Sequence, residues 1–436
     1  MSTPTTLRKT PNGLLGKRPA ASEARTESSQ AKRLLLARHH VVAPSLRVAE
    51  GAAGAVFGAA RLRGPIARDT VASVTGLSIA TVNRQVTALL DAGVLRERAD
   101  LAVSGAIGRP RVPVEVNHEP FLTLGIHLGA RTTSIVATDL LGRTLDVVET
   151  PTPQGPQNAA LASLADSARR YLSRWHRRKA LWVGVAAGGV IDTATGYFDH
   201  ARLGWSDAPV GPVLAEALGL PVSVASHVDA MAGAELLLGV RRSNTPTATS
   251  LYVYARETVG YALSIGGRVH SPASGPGTIA ALPAQSELLG NTGQLESTVS
   301  DEAVLSAARK RRIVPADGPA STIGSVLRAA RQGNEGAQAL LAERARVLGQ
   351  AVAMLRDMLN PDDLVVGGQA FTEYPEGMEL VEAAFAERSV LAPRDIRVTA
   401  FGNRVQEAGA GVVSLGGLYA DPVAAMRRAQ RSESTA

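Results

Sequence analysis

The chain has 436 residues, a formal net charge of +7 and no cysteine. This length allows two or three domains with sizeable cores, and 45% hydrophobic with 19% charged residues is typical of a globular protein. The lack of cysteine excludes disulfide bonds and thiolate zinc sites and fits a reducing compartment. No apolar run reaches membrane-spanning length and no secretory signal is recognisable, so we expect a cytoplasmic protein without a membrane partner.

The positive charge is concentrated in the first part of the chain. Residues 1–117 contain 17 Lys and Arg against 8 Asp and Glu, a net of +9. The remainder contains 29 against 31, a net of −2. Such a basic segment on a nearly neutral body is typical of a nucleic-acid-binding domain, because Lys and Arg contact phosphates. We therefore expect double-stranded DNA as a partner.

Residues 1–45 are predicted to form a disordered basic tail. The first 28 or so are rich in Ser, Thr, Pro and basic residues and show no periodicity, although residues 30–38 could form a short helix. The tail is either solvated without a specific role or adds phosphate contacts from Arg8, Lys9, Lys17 and Arg18.

A winged helix-turn-helix is predicted over residues 46–117. Its first helix is expected over 50–62, with Val56 and Phe57 facing the core. A second, short helix is expected over 66–74, and a tight turn follows it.

The turn and the third helix favour DNA binding. Gly76 allows the positive φ of a tight turn, Leu77 can fill the angle between the helices, and Ser78 can cap the third helix. Apolar residues at helical spacing predict its buried stripe: Ile79, Val82, Val86, Leu89 and Leu90. The opposite face is short and polar, which suits a major groove, and consists of Ala80, Thr81, Arg84 and Ala88 flanked by Asn83 and Gln85. From this module we predict DNA contacts by Ser78, Thr81, Asn83, Arg84 and Gln85.

A basic wing is predicted after the third helix. Strands are expected over 94–98 and 112–116, and a stiff turn that contains Pro110 joins them. Arginines on such a turn can enter a minor groove or contact phosphate, so we predict further DNA contacts by Arg109, Pro110 and Arg111. The alternative is a three-helix module that binds protein, with a solvated loop.

Beyond residue 117 the pattern becomes that of an α/β protein. An antiparallel meander, a helix and a buried strand are predicted over 121–129, 134–139, 144–150, 159–175 and 181–187. This order is how an actin-like (ribonuclease-H-like) lobe begins. A second round of strands and a long helix is predicted over 251–255, 260–265, 339–359 and 364–368. Two such lobes are expected to enclose a cleft.

Short motifs occur in a characteristic order from about residue 50 to 422. They are Gly108-Arg109-Pro110, Gly125-Ile126-His127-Leu128-Gly129, Leu203-Gly204-Trp205, Leu220-Pro221-Val222, Asp229-Ala230, Gly290-Asn291-Thr292-Gly293-Gln294-Leu295-Glu296, Leu359-Asn360-Pro361 and Gly367-Gly368. In this order they resemble the ROK family, which contains sugar kinases and sugar-responsive repressors. Kinases of the family lack the winged helix, so the resemblance is to its transcriptional regulators.

The resemblance implies an α/β fold in which the winged helix-turn-helix precedes a two-lobed actin-like ROK domain over 118–422. Lobe 1 is expected over about 118–236 together with a helix over about 405–422. Lobe 2 is expected over about 237–404, and residues 423–436 are expected to be a C-terminal tail.

The positions that serve catalysis in the family's kinases are altered here. The acid that helps to place Mg²⁺ is replaced by His127, although Mg²⁺ prefers oxygen ligands. Glu257 lies in the stretch that matches the second phosphate loop, where it would repel phosphate. Asp229 occupies the position of the general base, but its neighbour Val228 replaces an Asn. The resemblance therefore implies a vestigial base at Asp229 and no catalytic residue.

The family's zinc and sugar ligands are mostly replaced. Its three thiolate positions and its zinc histidine are occupied by Glu287, Leu289, Gln294 and Ala281. We therefore expect no metal and no cofactor, with Leu288 and Leu289 packing in place of the zinc. Glu296 remains from the sugar site.

Four residues are candidates for ligand binding in the cleft: His127, His227, Asp229 and Glu296. The two histidines are included because both map to the cleft, where imidazole can donate or accept a hydrogen bond. The other histidines show no metal-ligand spacing and are interpreted as structural or surface residues.

The sequence thus predicts a DNA-binding transcriptional regulator, and a repressor by resemblance. Its inactive kinase-like domain would serve dimerisation and the sensing of a sugar-like effector. Because one recognition helix reads only a few base pairs, we expect a homodimer or homotetramer. One alternative is an active ATP-dependent sugar kinase with an attached DNA-binding domain. The other is a regulator whose vestigial cleft binds nothing and which a protein partner controls.

Overall fold

The computed structural model describes residues 40–102, 112–239, 248–272, 275–290, 292–315, 322–392 and 394–435. A winged helix-turn-helix, here called the head, comprises α1 Ala52–Arg63, α2 Arg68–Thr75, α3 Ile79–Asp91, β1 Leu95–Glu97 and β2 Val114–Val116. Gly76, at φ 70°, ends α2, and the Ser78 side chain caps α3. The helix predicted from residue 66 begins two residues later, because Ile66 pairs with Val114 of the wing.

The core of the head agrees with the predicted stripe except at Ile79, and Leu90 of the stripe is only half-buried. Its buried members are Val56, Phe57, Val82, Val86 and Leu89. Ile79 was expected among them, but it is 50% exposed. Helical periodicity assigns Ile79 to the stripe, whereas neighbouring elements cover that stripe only from Val82 onward.

Lobe 1 is a five-stranded mixed sheet with helices. Its elements are β3 Phe121–Leu128, β4 Thr132–Thr138, β5 Thr144–Pro151, α4 Gln157–Ser173, β6 Lys179–Ala187, β7 Val190–Asp192, β8 Tyr197–His200, β9 Trp205–Ala208, α5 Val210–Leu218, β10 Val222–Ser226 and α6 His227–Leu237. The sheet order is β10-β6-β3-β4-β5, with β3, β4 and β5 antiparallel and with β6 parallel to β3 and β10. The three short strands β7, β8 and β9 form a separate sheet beside it.

Lobe 2 repeats this plan. Its elements are β11 Thr249–Ala255, β12 Val259–Ile265, β13 Arg268–Val269, β14 Pro283–Ala284, β15 Gly293–Gln294, α7 Leu295–Val299, α8 Asp301–Lys310, α9 Ile323–Arg331, α10 Glu335–Leu359, β16 Asp363–Gly367, α11 Gln369–Thr372, α12 Met378–Arg388 and β17 Ile396–Val398. The sheet order is β13-β12-β11-β16-β17, with an antiparallel hairpin beside parallel strands. The predicted α/β, two-lobed actin-like fold is confirmed.

Helix α13, Val405–Ala420, returns from lobe 2 to the face of the lobe 1 sheet. It lies so close to β3 that a Cβ atom on Gly125 would be 2.6 Å from the backbone of Ala410. Glycine is therefore required at this crossing, because any side chain would force α13 away from the sheet.

The C-terminal segment is a helix rather than the tail we expected over 423–436. Helix α14, Pro422–Thr435, packs against α1 and α3 of the head and against β6 of lobe 1. Its buried side chains follow helical spacing: Ala425, Met426, Ala429 and Ser432. This amphipathic face is covered because the head and the body both pack onto it.

Residues 40–45 were expected to end the disordered tail, but they pair with the body, and residues 1–39 of the predicted tail lie outside the described residues. Residues 40–48, here called the strap, run along both lobes before α1 begins. Val42 donates its backbone N–H to the Val222 carbonyl at the edge of lobe 1, at 2.8 Å. The Leu46 carbonyl accepts a hydrogen bond from the Val269 N–H of lobe 2, at 2.9 Å. These pairings fix the strap across the junction of the two lobes.

The segment 287–296 matches the part of the family that contains the zinc ligands. Only one of its two leucines that were expected to pack in place of the zinc is buried. Leu289 is buried in a cluster with Val304 and Leu305. Leu288, expected to pack beside it, is 38% exposed. Among the residues that the structure describes, no group of three or more His, Asp or Glu side chains has an arrangement that could hold a metal ion. No helix within the same residues is long and apolar enough to cross a bilayer.

Candidate DNA-binding surface and interlobe cleft

The outer face of α3 is a compact, exposed stripe. Four of its residues are exposed at the spacing of one helix face: Ala80, Asn83, Arg84 and Thr87. Arg84 has no ion pair among the described residues, so its guanidinium is free to reach a partner. Thr87 was not predicted, although its position one turn after Asn83 was a usable signal. Gln85 and Ala88, both expected on this face, are only half-exposed.

The start of α3 is held by two of the predicted DNA-binding residues. The Ser78 Oγ accepts a hydrogen bond from the Thr81 backbone N–H at 3.2 Å and donates one to the Thr81 Oγ1 at 3.0 Å. These bonds satisfy one of the free N–H groups of the first turn. The two hydroxyl groups therefore position the end of α3 that would enter a groove.

Arg68, at the start of α2, is a positioning residue that the sequence did not reveal. Its guanidinium donates to the Asn83 amide oxygen at 3.4 Å and pairs with Glu97 at 3.0 Å. It therefore joins α2, the recognition helix α3 and the first wing strand.

The arginines at the base of the wing form ion pairs with carboxylates of the protein. Arg96 pairs with Glu115 at 2.8 Å and with Glu119 at 2.7 Å. Arg98 pairs with Glu115 at 2.9 Å and with Asp100 at 2.7 Å. The arginines at the base of the wing are therefore not available for the DNA contacts predicted for the wing. The predicted tip residues Arg109, Pro110 and Arg111 lie outside the described residues.

The cleft between the lobes contains a cavity of about 210 Å³. Three histidines line it, and each stands at the end or start of an element: His127 at the end of β3, His200 at the end of β8 and His227 at the start of α6. Its other polar lining residues include Arg202, Tyr254 and Glu257. Sequence reasoning placed His127 and His227 in the cleft, but it missed His200 and Tyr254.

The three histidines and Tyr254 form one cluster. The rings of His127 and His227 are stacked at 20° with centroids 6.2 Å apart, and the Tyr254 ring lies 5.4 Å from His227. Burial, reinforced by His227 and Arg256, lowers the pKa of His127 to about 3. Burial, with contributions from His200 and Arg202, lowers the pKa of His227 to about 4. The cluster is therefore uncharged near neutral pH.

Asp229 and Glu296 do not line this cavity. The Asp229 carboxylate accepts a hydrogen bond from the Ser271 hydroxyl at 2.9 Å, and burial raises its pKa to about 6. Glu296 accepts from the Val259 backbone N–H at 3.2 Å, and its other oxygen lies 3.7 Å from Arg202. The four candidate ligand-binding residues therefore divide into a histidine pair and two separate carboxylates.

A second cavity of about 210 Å³ shares the lining residues Tyr254 and Gln406 with the first. Three carboxylates line it: Glu149, Glu373 and Glu407. Its arginine, Arg256, donates to the Gln406 side chain at 2.7 Å, and Gln406 in turn donates to the Tyr254 hydroxyl at 2.9 Å. This concentration of negative charge is unfavourable for a polyphosphate.

The ROK family model matches residues 123–413. The chain belongs to the ROK family. This ROK chain is 73% identical over 404 residues to a protein named as a transcriptional regulator of Mycobacterium tuberculosis, with 91% of this chain and 92% of the relative covered. It is 24% identical over 324 residues to the N-acetylglucosamine repressor of Escherichia coli O157:H7, covering 70% and 77%.

Solved ROK structures have the same fold. A ROK family transcriptional regulator, described as a homolog of the Escherichia coli MLC protein, matches with a TM-score of 0.71 at 21% identity and covers 87% of this chain and 98% of its own. The ROK hexokinase of Thermus thermophilus matches with a TM-score of 0.54 at 24% identity, covering 67% and 98%. The 73% identity to the transcriptional regulator of Mycobacterium tuberculosis extends over 91% of this chain, so this ROK protein is one of the family's transcriptional regulators. The resemblance identified from the sequence is confirmed.

Proposed function

We propose that this protein is a sequence-specific repressor whose kinase-like body senses a small molecule and does not transfer phosphate. The observation that carries the proposal is the exposed face of α3, where Asn83 and Arg84 are free of the core and the helix start is capped. A rigid, uncluttered helix of this kind fits a major groove. The wing-tip residues Arg109 and Arg111 would add contacts to phosphate or to the minor groove.

The strap supports a coupling between the cleft and the head. It is hydrogen-bonded to both lobes, and the Val48 N–H donates to the Gly267 carbonyl at 2.8 Å just before α1 begins. A ligand that changes the angle between the lobes would therefore displace the start of α1. Such a displacement biases the head between orientations, provided the ligand binds one lobe arrangement better than the other.

The repressor is proposed to act as a homodimer or homotetramer in the cytoplasm. Two heads related by two-fold symmetry would read a palindromic site, which one head is too small to select from a genome. Light scattering on the full chain, with and without DNA, should give the mass of at least two chains. A monomer under both conditions would contradict this arrangement.

Genome-wide mapping of bound DNA tests the repressor function. Wild-type protein should give discrete sites with a shared two-fold motif, and transcription of adjacent genes should rise when the protein is deleted. Arg84→Ala should lose the sites, whereas Arg177→Ala, an exposed arginine of the body, should retain them. A uniform distribution of wild-type protein would contradict sequence-specific binding.

A second candidate function is an ATP-dependent sugar kinase, and Asp229 is the observation that favours it. Its pKa, raised to about 6 by burial, suits a general base. Two features argue against a kinase. His127 occupies the position of the acid that helps to place Mg²⁺, and three carboxylates line the second cavity. A coupled assay with ATP, Mg²⁺ and a panel of sugars should detect no turnover. Turnover that Asp229→Ala abolishes would establish the kinase.

A further inference from the structure

A cavity of about 390 Å³, here called the junction cavity, lies between the head and the body. It is larger than either of the two cleft cavities and shares none of their described lining residues. The head contributes α1 and the end of α2, and the body contributes the ends of α6 and α13. Among its lining residues are Phe57, Gly58, Leu62, Val74, Leu236 and Tyr419. Its volume falls within the range of about 300–1,000 Å³ that is usual for small-molecule sites.

The walls of the junction cavity include apolar side chains that face solvent. Leu62 is 72% exposed, and Val48 and Val74 are each 37% exposed. Covering exposed apolar surface is favourable, because water is released from it. The described residues leave these three side chains open, so the apolar part of a ligand would be stabilised here.

Gly58 keeps the junction cavity open on the side of α1. It lines the cavity, and no atom lies within 4 Å of its Cβ position. Gly54, one turn earlier, differs, because a Cβ atom there would lie 2.7 Å from the Ala420 carbonyl oxygen. A side chain at residue 58 would therefore extend into space that a ligand could occupy, without meeting the backbone of the body.

The charged groups at the junction cavity are arginines. Arg61 and Arg63 are the charged members of its described lining, which contains no carboxylate. Arg61 lies over the Tyr419 ring and donates to the Leu237 carbonyl, which offsets the negative end of the α6 dipole. Arg63 is exposed and has no ion pair within the described ranges. The cavity therefore favours one negative group, placed beside Arg63.

We propose that the junction cavity binds a small amphipathic acid, a molecule with an apolar body and a single carboxylate. The apolar body would cover Leu62 and Val74, and the carboxylate would pair with Arg63. This site is separate from the cleft between the lobes and from the sugar-like effector proposed for that cleft.

A ligand in the junction cavity would act directly on the orientation of the head. It would contact α1 and α2 on one side and α6 and α13 on the other, so its affinity depends on the spacing of these helices. A molecule that binds one spacing better shifts the head toward that spacing. This effect on operator affinity rests on the proposed function of the head, whereas binding of the acid does not.

Isothermal titration calorimetry on the full chain tests the site with four probes: octanoate, octan-1-ol, 1-naphthoate and 1-naphthalenemethanol. The two acids have alkyl and aromatic bodies, so their order of affinity identifies the body that fits. Each alcohol keeps the body of one acid and lacks its charge. At least one acid should bind as one molecule per chain. It should bind more tightly than the matching alcohol, because only the carboxylate pairs with Arg63.

Two substitutions test the two parts of the site. Gly58→Leu should weaken binding of the better acid by about ten-fold or more, because the leucine side chain would occupy the cavity. Gly51→Leu is the matched control, since Gly51 precedes the same helix, has no atom within 4 Å of its Cβ position and does not line the cavity. Arg63→Gln should weaken binding of the acid and leave binding of the alcohol unchanged. Arg177→Gln, at an exposed arginine of the body, should change neither.

The proposal is overturned if neither acid binds, if each alcohol binds as tightly as its acid, or if folded Gly58→Leu protein binds the acid as wild type does. Circular dichroism establishes whether Gly58→Leu is folded, and Arg63→Gln decides if it is not. Operator affinity is measured separately with and without the better acid. An acid that binds without altering operator affinity would support the site and contradict its control of the head. A lack of operator binding without the acid would contradict the proposed repressor function alone.

Discussion

The guanidinium of Arg61 lies 4.4 Å from the centre of the Tyr419 ring and joins α1 of the head to α13 of the body. Arg61 also donates a hydrogen bond to the Leu237 carbonyl at 3.0 Å. The Phe57 ring packs 6.2 Å from the same tyrosine, whose hydroxyl donates to the Leu140 carbonyl at 3.2 Å. Head and body therefore share one continuous apolar core. This geometry makes the orientation of the head sensitive to changes in the body.

A pair of glycines on α1 tests how closely the head approaches the body. A Cβ atom on Gly54 would lie 2.7 Å from the Ala420 carbonyl oxygen, whereas nothing lies within 4 Å of the Cβ position on Gly58. Gly54→Ala should therefore lower the free energy of unfolding by about 1–3 kcal/mol. Gly58→Ala should raise it by about 0.5–1 kcal/mol, because alanine restricts the unfolded chain and favours a helix. Urea denaturation measures both.

The two substitutions are expected to change the free energy of unfolding in opposite directions, although both lie on α1. Equal effects of Gly54→Ala and Gly58→Ala would show that the head does not pack against the body through α1. Hydrogen exchange of the α1 amides should increase in the Gly54→Ala protein, because the junction with α13 is loosened.

Asp229→Asn should stabilise the protein at neutral pH. The folded-state pKa of about 6 exceeds the ordinary value of 3.8, so the folded state retains a proton that the unfolded state has lost. The contribution of Asp229 to wild-type stability therefore falls as the pH rises from about 4 to about 6 and then remains at the lower level. Asparagine resembles the protonated carboxyl group and avoids this loss, which is about 3 kcal/mol above pH 6.

Thermal unfolding of wild type and Asp229→Asn at several pH values measures this difference. The gain in the variant should grow between about pH 4 and pH 6 and stay constant above. The exposed Asp91 provides a control for the loss of a carboxylate, through Asp91→Asn. A constant difference at all pH values for Asp229→Asn would show that the carboxyl group has no raised pKa.

Arg84→Ala should reduce sequence preference. The guanidinium lies on the exposed face of α3 and can donate two hydrogen bonds to guanine, so its loss should cost about 1–3 kcal/mol on the operator and relax one position of the motif. Equilibrium binding to operator and random duplexes measures this, with Arg177→Ala as the control. An unchanged operator-to-random ratio would mean that Arg84 does not read a base.

Arg109→Ala and Arg111→Ala should weaken binding to operator DNA and to random DNA by more similar factors than Arg84→Ala does. If each arginine meets a phosphate, its removal should lower the slope of log affinity against log salt by about one. Titrations at several salt concentrations measure the slope for wild type and both variants. A loss confined to A·T-rich operators would instead indicate minor-groove insertion, because a narrow minor groove attracts arginine. Unchanged binding to both duplexes would show that these two arginines do not contact DNA.

The elements that depend on local pattern were determined by the sequence. The turn at Gly76, the cap at Ser78 and the exposed position of Arg84 follow from neighbours within one or two helical turns. Strands β3–β6, β11, β12 and β16 could be placed for the same reason, because alternation and apolar runs are local signals, whereas β7–β10, β13–β15 and β17 were not predicted. Composition and motif order were sufficient for the family, and these parts required no knowledge of contacts between distant residues.

Tertiary structure decided what depends on residues far apart in the chain. His127, His200 and His227 come from three different elements, so no spacing in the sequence could reveal that they share one cavity. Ile79 has the pattern of a core residue, but the described elements leave it 50% exposed. The strap and α14 are recognisable as parts of the core only when the head and both lobes are present to bury them. Burial is a property of the assembled surfaces, which a single segment cannot specify.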